Sequence, residues 1–282
     1  MSTSAAGLGR VAIVGAGQVG TMLGMALRGV AQEVVLADRR GGALRQSLER
    51  GAGDRDVSVE EAVDAEHVVL AVPVPEIVRL VEELGPKVRK GALLIDTGSA
   101  KRTVVEAMRA HVPPEVHAIG GHPLAGSEQS GPEAAAPELL RGASFALTPV
   151  RDDPEAEARG RAFAEALGSR PVVIEAELHD RVVAATSHVP HLLAVAVALA
   201  SRDLPRDAVR DLAASGFSGA TRLAAGDPGM VGGFLAANSD AVRDALKELR
   251  AALDRAEASL EDPDALRVLF AEAAAAREDA GG

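Results

Sequence analysis

The sequence predicts an α/β fold: a parallel sheet wrapped on both faces by helices in its N-terminal part, followed by an all-helical C-terminal part. Three observations carry this. Short β-branched, apolar runs alternate with helical runs from Arg10 to about Glu175, a glycine-rich turn closes the first of those runs, and beyond Glu175 the strand signal stops.

Arg10-Val-Ala-Ile-Val-Gly15 reads as a buried strand, because it is β-branched, apolar and ends in glycine. A helix follows from about Gln18 to Arg28, then a strand at Val34–Ala37 and a helix near Ala43 to Arg50. His67–Pro73 is the next strand, with Pro75–Leu84 helical behind it; Ala92–Asp96 and Lys101–Ala110 repeat the cycle. Val116–Gly120, Ser144–Thr148 and Pro171–Glu175 add three strands, with a helix from about Glu155 to Leu167 between the last two. Such alternation through short connections implies parallel strands. From Leu178 onward only helices are expected, punctuated at Pro205, at Gly226-Asp-Pro-Gly229 and at Asp262-Pro263. The boundary is placed at Ala176, giving domains 1–175 and 176–282.

Composition narrows the function. Thirty basic against 41 acidic side chains leave a net charge of -11, which argues against a nucleic-acid partner, since phosphates need a basic face. Cysteine, tryptophan and tyrosine are absent and phenylalanine numbers five. Disulfides, thiolate nucleophiles and aromatic stacking platforms are thereby excluded, and a reducing, cytoplasmic setting is expected. No apolar run is read as approaching the roughly 20 residues of a membrane span, and Met1 to Arg10 has no leader pattern, so no membrane association is expected.

Gly15-Ala-Gly17-Gln18-Val19-Gly20 is a G-x-G-x-x-G turn between a strand and a helix. There, Gly15 permits the tight turn, Gly17 lets a pyrophosphate approach the backbone, and Gly20 allows close helix packing, with the anion facing the helix N-terminus. This marks the first part as a Rossmann-type dinucleotide-binding domain. Asp38 ends the next strand, where a carboxylate accepts from the adenosine ribose and disfavours a 2′-phosphate, so NAD is the expected cofactor; Arg39 and Arg40 leave NADP open. Val72 and Pro73, closing the third strand, complete the expected cofactor set.

Two polar clusters fall where open α/β folds bind ligands, Asp96-Thr-Gly-Ser99-Ala-Lys101 and Gly120-Gly-His122-Pro-Leu-Ala-Gly126-Ser127-Glu128. His122, on what reads as a loop between glycines and a proline, is the candidate acid–base residue. The helical part adds Ser187-His188-Val-Pro190-His191 and Gly216-Phe-Ser218-Gly-Ala-Thr221-Arg222. His188 and His191 are spaced for a shared metal, but no third ligand follows at a matching offset, so no metal is expected. Arg222 suits bidentate carboxylate recognition.

Taken in order, these motifs resemble the prephenate dehydrogenase family, which includes arogenate dehydrogenases; the match runs from Val11 to about Met230. The resemblance implies that the helical domain is also a dimerisation domain, that the protein is a homodimer, and that each active site lies in the cleft between domains. It implies NAD-dependent oxidative decarboxylation of prephenate to 4-hydroxyphenylpyruvate, in tyrosine biosynthesis. By position, His122 matches the histidine that takes the proton of the ring hydroxyl, and Ser99 the serine that orients it. Ser127, Ser187 and His191 match substrate contacts, and Arg222 the arginine that binds a substrate carboxylate.

The sequence departs from the family at two places. Relatives often carry a basic residue and an aspartate where Ser218-Gly219 stands, and an aromatic or longer polar residue where Val231-Gly-Gly233 stands. The lost cation makes room for an ammonium group, so arogenate or an amino-substituted prephenate is the alternative substrate. A 3-hydroxyacid dehydrogenase would share the architecture, but Leu178 to Arg222 lacks the lysine base such enzymes use. A non-catalytic NAD(H) sensor is the alternative from another class; retained Ser99, His122, His191 and Arg222 speak against it.

Overall fold

The computed structural model describes residues 7–126 and 129–281. In chain order it contains β1 (Leu8–Val14), α1 (Gln18–Leu27), β2 (Ala31–Ala37), α2 (Gly41–Glu49), β3 (Arg55–Asp56), β4 (His67–Leu70), α3 (Val74–Leu84), β5 (Leu93–Asp96), α4 (Arg102–His111) and β6 (His117–Pro123). There follow β7 (Ser144–Pro149), α5 (Pro154–Ala166), β8 (Arg170–Val173) and α6 (Ala176–Val183). A single π-turn, Ala184–His188, joins α6 directly to α7 (Val189–Ala200). The remainder is α8 (Arg206–Leu212), α9 (Ser215–Thr221), α10 (Pro228–Ala237), α11 (Ser239–Ala258) and α12 (Pro263–Asp279).

The eight strands form one sheet in the order β3-β2-β1-β4-β5-β6-β7-β8. Its centre follows from composition: β1, β4 and β5 are runs of Val, Ile, Leu and Ala buried on both faces, as parallel strands covered by helices must be. One face packs on α3 and α4 through residues such as Val14, Leu70, Ile77, Val104 and Met108. The other packs on α1 and α5 through Ile13, Met22, Leu23, Leu147 and Phe163.

Three expectations are corrected. The sheet is mixed, because β7 runs antiparallel to β6 with Gly121 opposite Leu147 and His122 opposite Ala146. Among its described residues the segment joining them holds only short 3₁₀ turns, and without a crossover helix a neighbouring strand returns antiparallel. Consequently His122 lies within β6 and not on a loop. The third concerns apolar length: Ala176–Ala200 is one continuous helix of 25 residues containing an 18-residue window of mean hydropathy 1.8. His188, Pro190 and His191 broke that run to the eye, yet its average is that of a span. Its His179 and Asp180 bond into the sheet domain, as described below, and 28% of the window is buried in the single chain.

Smaller differences have local causes. β2 begins earlier than predicted because its ladder with β1 starts at Leu8 opposite Ala31, and Glu33 is held between Arg10 and Arg55, at 2.5 and 2.9 Å. β3 is a two-residue edge strand, too short to carry any periodicity. The last strand ends at Val173 and the first helix of the C-terminal part starts at Ala176.

Candidate active site

The nucleotide turn follows β1 and opens α1. Gly15 has φ +115°, and a Cβ there would stand 2.2 Å from the Ala71 carbonyl oxygen; a Cβ on Gly20 would stand 1.8 Å from the Gly15 oxygen. No side chain fits at either place, so the turn, the start of α1 and the Ala71–Val72 backbone are packed as one unit. Gly17 is different, with nothing within 4 Å of its Cβ position; the free space beside this helix N-terminus suits a pyrophosphate.

Asp38 closes the cradle. Its Oδ2 accepts from the Ala16 N–H at 2.7 Å and its Oδ1 from the Arg40 N–H at 2.7 Å. Burial pushes its pKa up, but the Arg40 side chain and those two N–H groups outweigh it, and the carboxyl is held below its ordinary 3.8. Arg40 pairs with Asp38 at 3.3 Å and Arg39 with Glu76 at 2.7 Å. Val72 and Pro73 lie in the turn after β4 and not in the strand. Val72 Cγ1 is 2.8 Å from the Gly15 Cβ position, and Gln18 Oε1 is 3.4 Å from that of Gly126, so the expected cofactor residues and the segment after His122 gather at one sheet edge.

At the C-terminal end of β5, Asp96 organises the neighbouring strand. Its Oδ1 accepts from Gly121 N–H at 3.0 Å, and its Oδ2 from Gly98 N–H at 2.7 Å and from the Lys101 ammonium. Lys101 Nζ also donates to the Gly121 carbonyl at 2.6 Å. Lys101 and Asp96 have no exposed surface. Burial lowers the Lys101 pKa against the opposing pull of Asp96. Gly121 is required because a Cβ would stand 2.4 Å from the Asp96 carbonyl oxygen. The residue before His122 is therefore pinned at both its N–H and its C=O.

The helical part supplies the other half through α6. Asp180 Oδ1 accepts from Lys101 N–H at 2.7 Å and Oδ2 from Arg102 N–H at 2.9 Å, capping the start of α4. Asp180 Oδ1 is also 2.8 Å from His179 Nδ1, and His179 Nε2 is 2.9 Å from His122 Nδ1. Burial would raise the Asp180 pKa, but the His179 bond and the two backbone N–H groups lower it overall. The carboxylate accepts from His179 Nδ1–H; His179 Nε2 accepts from His122 Nδ1–H; His122 Nε2 keeps its lone pair. Burial first, then the neighbouring His179, the Lys101 ammonium and His188, which oppose a proton on the ring, hold the His122 pKa well below 6.5. The arrangement presents a neutral imidazole nitrogen at the C-terminal end of the sheet, with two residues behind it.

His179 and Asp180 were not among the candidates read from sequence. Their only signal is the adjacent His-Asp pair at the start of the first C-terminal helix. Asn238 was missed too: it is buried, and its Nδ2 donates to Asp180 O at 2.8 Å and lies 3.2 Å from His188 Nδ1. His188 stacks on Phe234 with ring centroids 4.6 Å apart, and burial pushes its pKa down to about 4.

Of the remaining candidates, Ser99 sits half-buried in the turn between Asp96 and Lys101. Ser187 lies in the π-turn, and its carbonyl is 2.8 Å from His191 Nδ1. Arg222 opens a 3₁₀ turn after α9 that packs against α7; α8, α9 and this turn bury no residue in the single chain. Ser127 lies outside the described residues. Among the described residues no three His, Asp or Glu side chains form a metal-binding group.

Residues 23–173 match the family described as prephenate dehydrogenase, nucleotide-binding domain, and residues 175–271 the one described as prephenate dehydrogenase, dimerization domain. The chain is 30% identical over 251 residues to the prephenate dehydrogenase of Lactococcus lactis subsp. cremoris, covering 87% of this chain and 69% of that protein. It is 33% identical over 213 residues to the 4-amino-4-deoxyprephenate dehydrogenase of Streptomyces pristinaespiralis, covering 73% and 68%. The fold superposes with a TM-score of 0.87, at 25% identity, on the prephenate dehydrogenase of A. aeolicus solved in complex with hydroxyphenyl propionate and NAD+, covering 96% of this chain and 98% of that one.

Proposed function

The chain belongs to the prephenate dehydrogenase family, and from that premise we propose that it catalyses the NAD-dependent oxidative decarboxylation of prephenate to 4-hydroxyphenylpyruvate. The observation that carries the reading is the Asp180–His179–His122 chain, which leaves a neutral imidazole nitrogen beside a nucleotide cradle.

What NAD supplies, when bound, is a hydride acceptor for the ring carbon that bears the hydroxyl. His122 Nε2 accepts the hydroxyl proton, and the charge it gains is stabilised by Asp180 through His179. As the ring carboxylate departs as carbon dioxide, its bonding pair enters the ring, and the proton held on His122 returns to the product's phenol oxygen. Ser99 orients the hydroxyl. Arg222 holds a substrate carboxylate as a charge-assisted pair, while Ser127, Ser187 and His191 contact the side chain. A substrate with two carboxylates needs local cations in a protein of net charge -11. NAD is favoured over NADP because Asp38 is ionised at the cradle's end and both nearby arginines are engaged by carboxylates.

The working unit in this reading is a homodimer. Leu193, Val195 and Leu199 of α7 are exposed in the single chain, within the segment matched to a dimerization domain, and a second copy would bury them.

One observation favours a second reading of the substrate. The helix before Arg222, Ser215–Thr221, carries no charged residue. A site lacking that cation tolerates an ammonium on the substrate, so arogenate or an amino-substituted prephenate is the competing choice with the same reaction.

The test is NADH or NADPH formation by the purified protein with prephenate and arogenate, each with NAD and with NADP. Prephenate with NAD as the best pair supports the reading. Preference for arogenate moves the substrate to the second reading, and no reduction with either acid removes both.

A further inference from the structure

The helix that carries His179, His188 and His191 is broken in phase by one π-turn, whose Val189 N–H bonds back to Ala184 O, five residues earlier. Pro190 follows at once. Proline has no N–H to give to the carbonyl four residues back, and its ring collides with that carbonyl, so an α-helical bond from residue 190 to Thr186 is impossible. A wider turn at this point lets the helix continue past the proline. Single π-turns inside α-helices are frequent at functional sites.

The angular consequence can be worked out. At about 100° per residue, His191, twelve residues after His179, would stand about 120° round an unbroken α-helix from it, and so within about 20° of Asp180 instead. His188, eight residues after Asp180, would stand about 80° from it. A π-turn absorbs one residue, or about 100°. That leaves His191 within about 20° of His179, and His188 within about 20° of Asp180. The contacts agree: the side-chain amide of Asn238 reaches both Asp180 O, at 2.8 Å, and His188 Nδ1, at 3.2 Å.

We propose that Pro190 is a positioning residue: by enforcing the π-turn it brings His188 round to the side of Asp180 and moves Ser187 and His191 from the side of Asp180 to that of His179, the ring that meets His122. The turn thereby joins the proton-accepting half of the cleft to the half that holds the substrate side chain. This last consequence rests on the functional reading of Ser187 and His191 given above.

Two variants test it. P190A restores the N–H and lets the helix close into a regular ladder, which swings everything from Ser187 onward out of phase. P190A combined with deletion of the exposed Ala185 closes the same ladder but removes the residue the π-turn absorbed, so the downstream phase returns. The first readout is the ring titration of His188 by NMR, which needs no substrate. The pKa is expected near 4 in the unaltered protein, displaced toward 6.5 in P190A as the ring leaves Phe234, and restored in the combined variant. The second is the split between KM and kcat for prephenate: P190A is expected to raise KM about tenfold with kcat changed less than about threefold, and the combined variant to reverse this.

A proline that serves only to bend the helix would gain nothing from the deletion. P190A with unchanged His188 titration and KM overturns the proposal, and so does a combined variant no closer to the unaltered protein than P190A. Should P190A fail to fold, the combined variant must still fold with His188 titrating near its native value. If the unaltered protein turns over neither prephenate nor arogenate, the functional reading fails, and the titrations alone decide the role of Pro190.

Discussion

Lys101 shows how a buried charge can serve a site it never enters. It pairs with Asp96 and holds Gly121 O at 2.6 Å, with neither charged group exposed. Removing one partner of such a pair leaves the other charged and dry, at a cost of roughly 3–5 kcal/mol. Lys101→Met is therefore expected to lose about that much stability in urea unfolding; a loss below about 1 kcal/mol, the worth of an exposed pair, would show that the pair is not the anchor described. His122 gives a second expectation. As a base it must be neutral, and its pKa lies well below 6.5, so activity should hold as pH drops past 6.5 and fall only further into acid. A limb at the ordinary histidine value would contradict the burial argument. His122 was legible in the sequence because glycines and a proline set it apart. His179 and Asp180 were not, because what gives them a role is a contact between residues 57 apart in the chain.

At the scale of elements, the β1–α1 turn separates two uses of glycine that one motif conceals. Gly20→Ala drives a Cβ into the Gly15 carbonyl at 1.8 Å, whereas Gly17→Ala meets nothing within 4 Å. The first is expected to lower both stability and NADH affinity. The second should leave the melting temperature within a degree or two, since a residue off the packed core shifts stability by less than about 0.5 kcal/mol, and weaken NADH alone. Equal effects from the two would show that Gly17 does not face the nucleotide. β1, β2, β4 and β5 were readable because each holds a short buried run bounded by turn residues. β6 was read three residues too short at its C-terminal end: Gly-Gly-His-Pro looks like a loop, and only pairing with β7, distant in sequence, makes it strand. The π-turn left no periodic trace beyond Pro190 itself.

Across the whole molecule, burial of neutral histidines links stability to pH. Burial pushes His67 and His188 down to about 4, from an ordinary 6.5. In the unfolded chain both would titrate near 6.5, so below that value the unfolded state binds more protons. The stability these groups confer is complete above about pH 6.5 and is lost as pH falls toward about 4. The urea midpoint should drop across that window by the equivalent of a few kcal/mol, and a flat midpoint would contradict the burial of both rings. Each half of the cleft was visible as a motif, but their union depends on Asp180 capping α4 and on His179 meeting His122, contacts that exist only once both halves are folded.

The central claim is that His122, backed by His179 and Asp180, accepts the substrate's proton. It is tested most directly by turnover of His122→Asn with the substrate and cofactor pair that the unaltered protein prefers, with NADH affinity measured alongside. The expected result is a fall in kcat of about 10²–10⁴-fold, the usual worth of a positioned acid–base group, with NADH affinity unchanged. Turnover within a few fold of the unaltered protein would contradict the assignment.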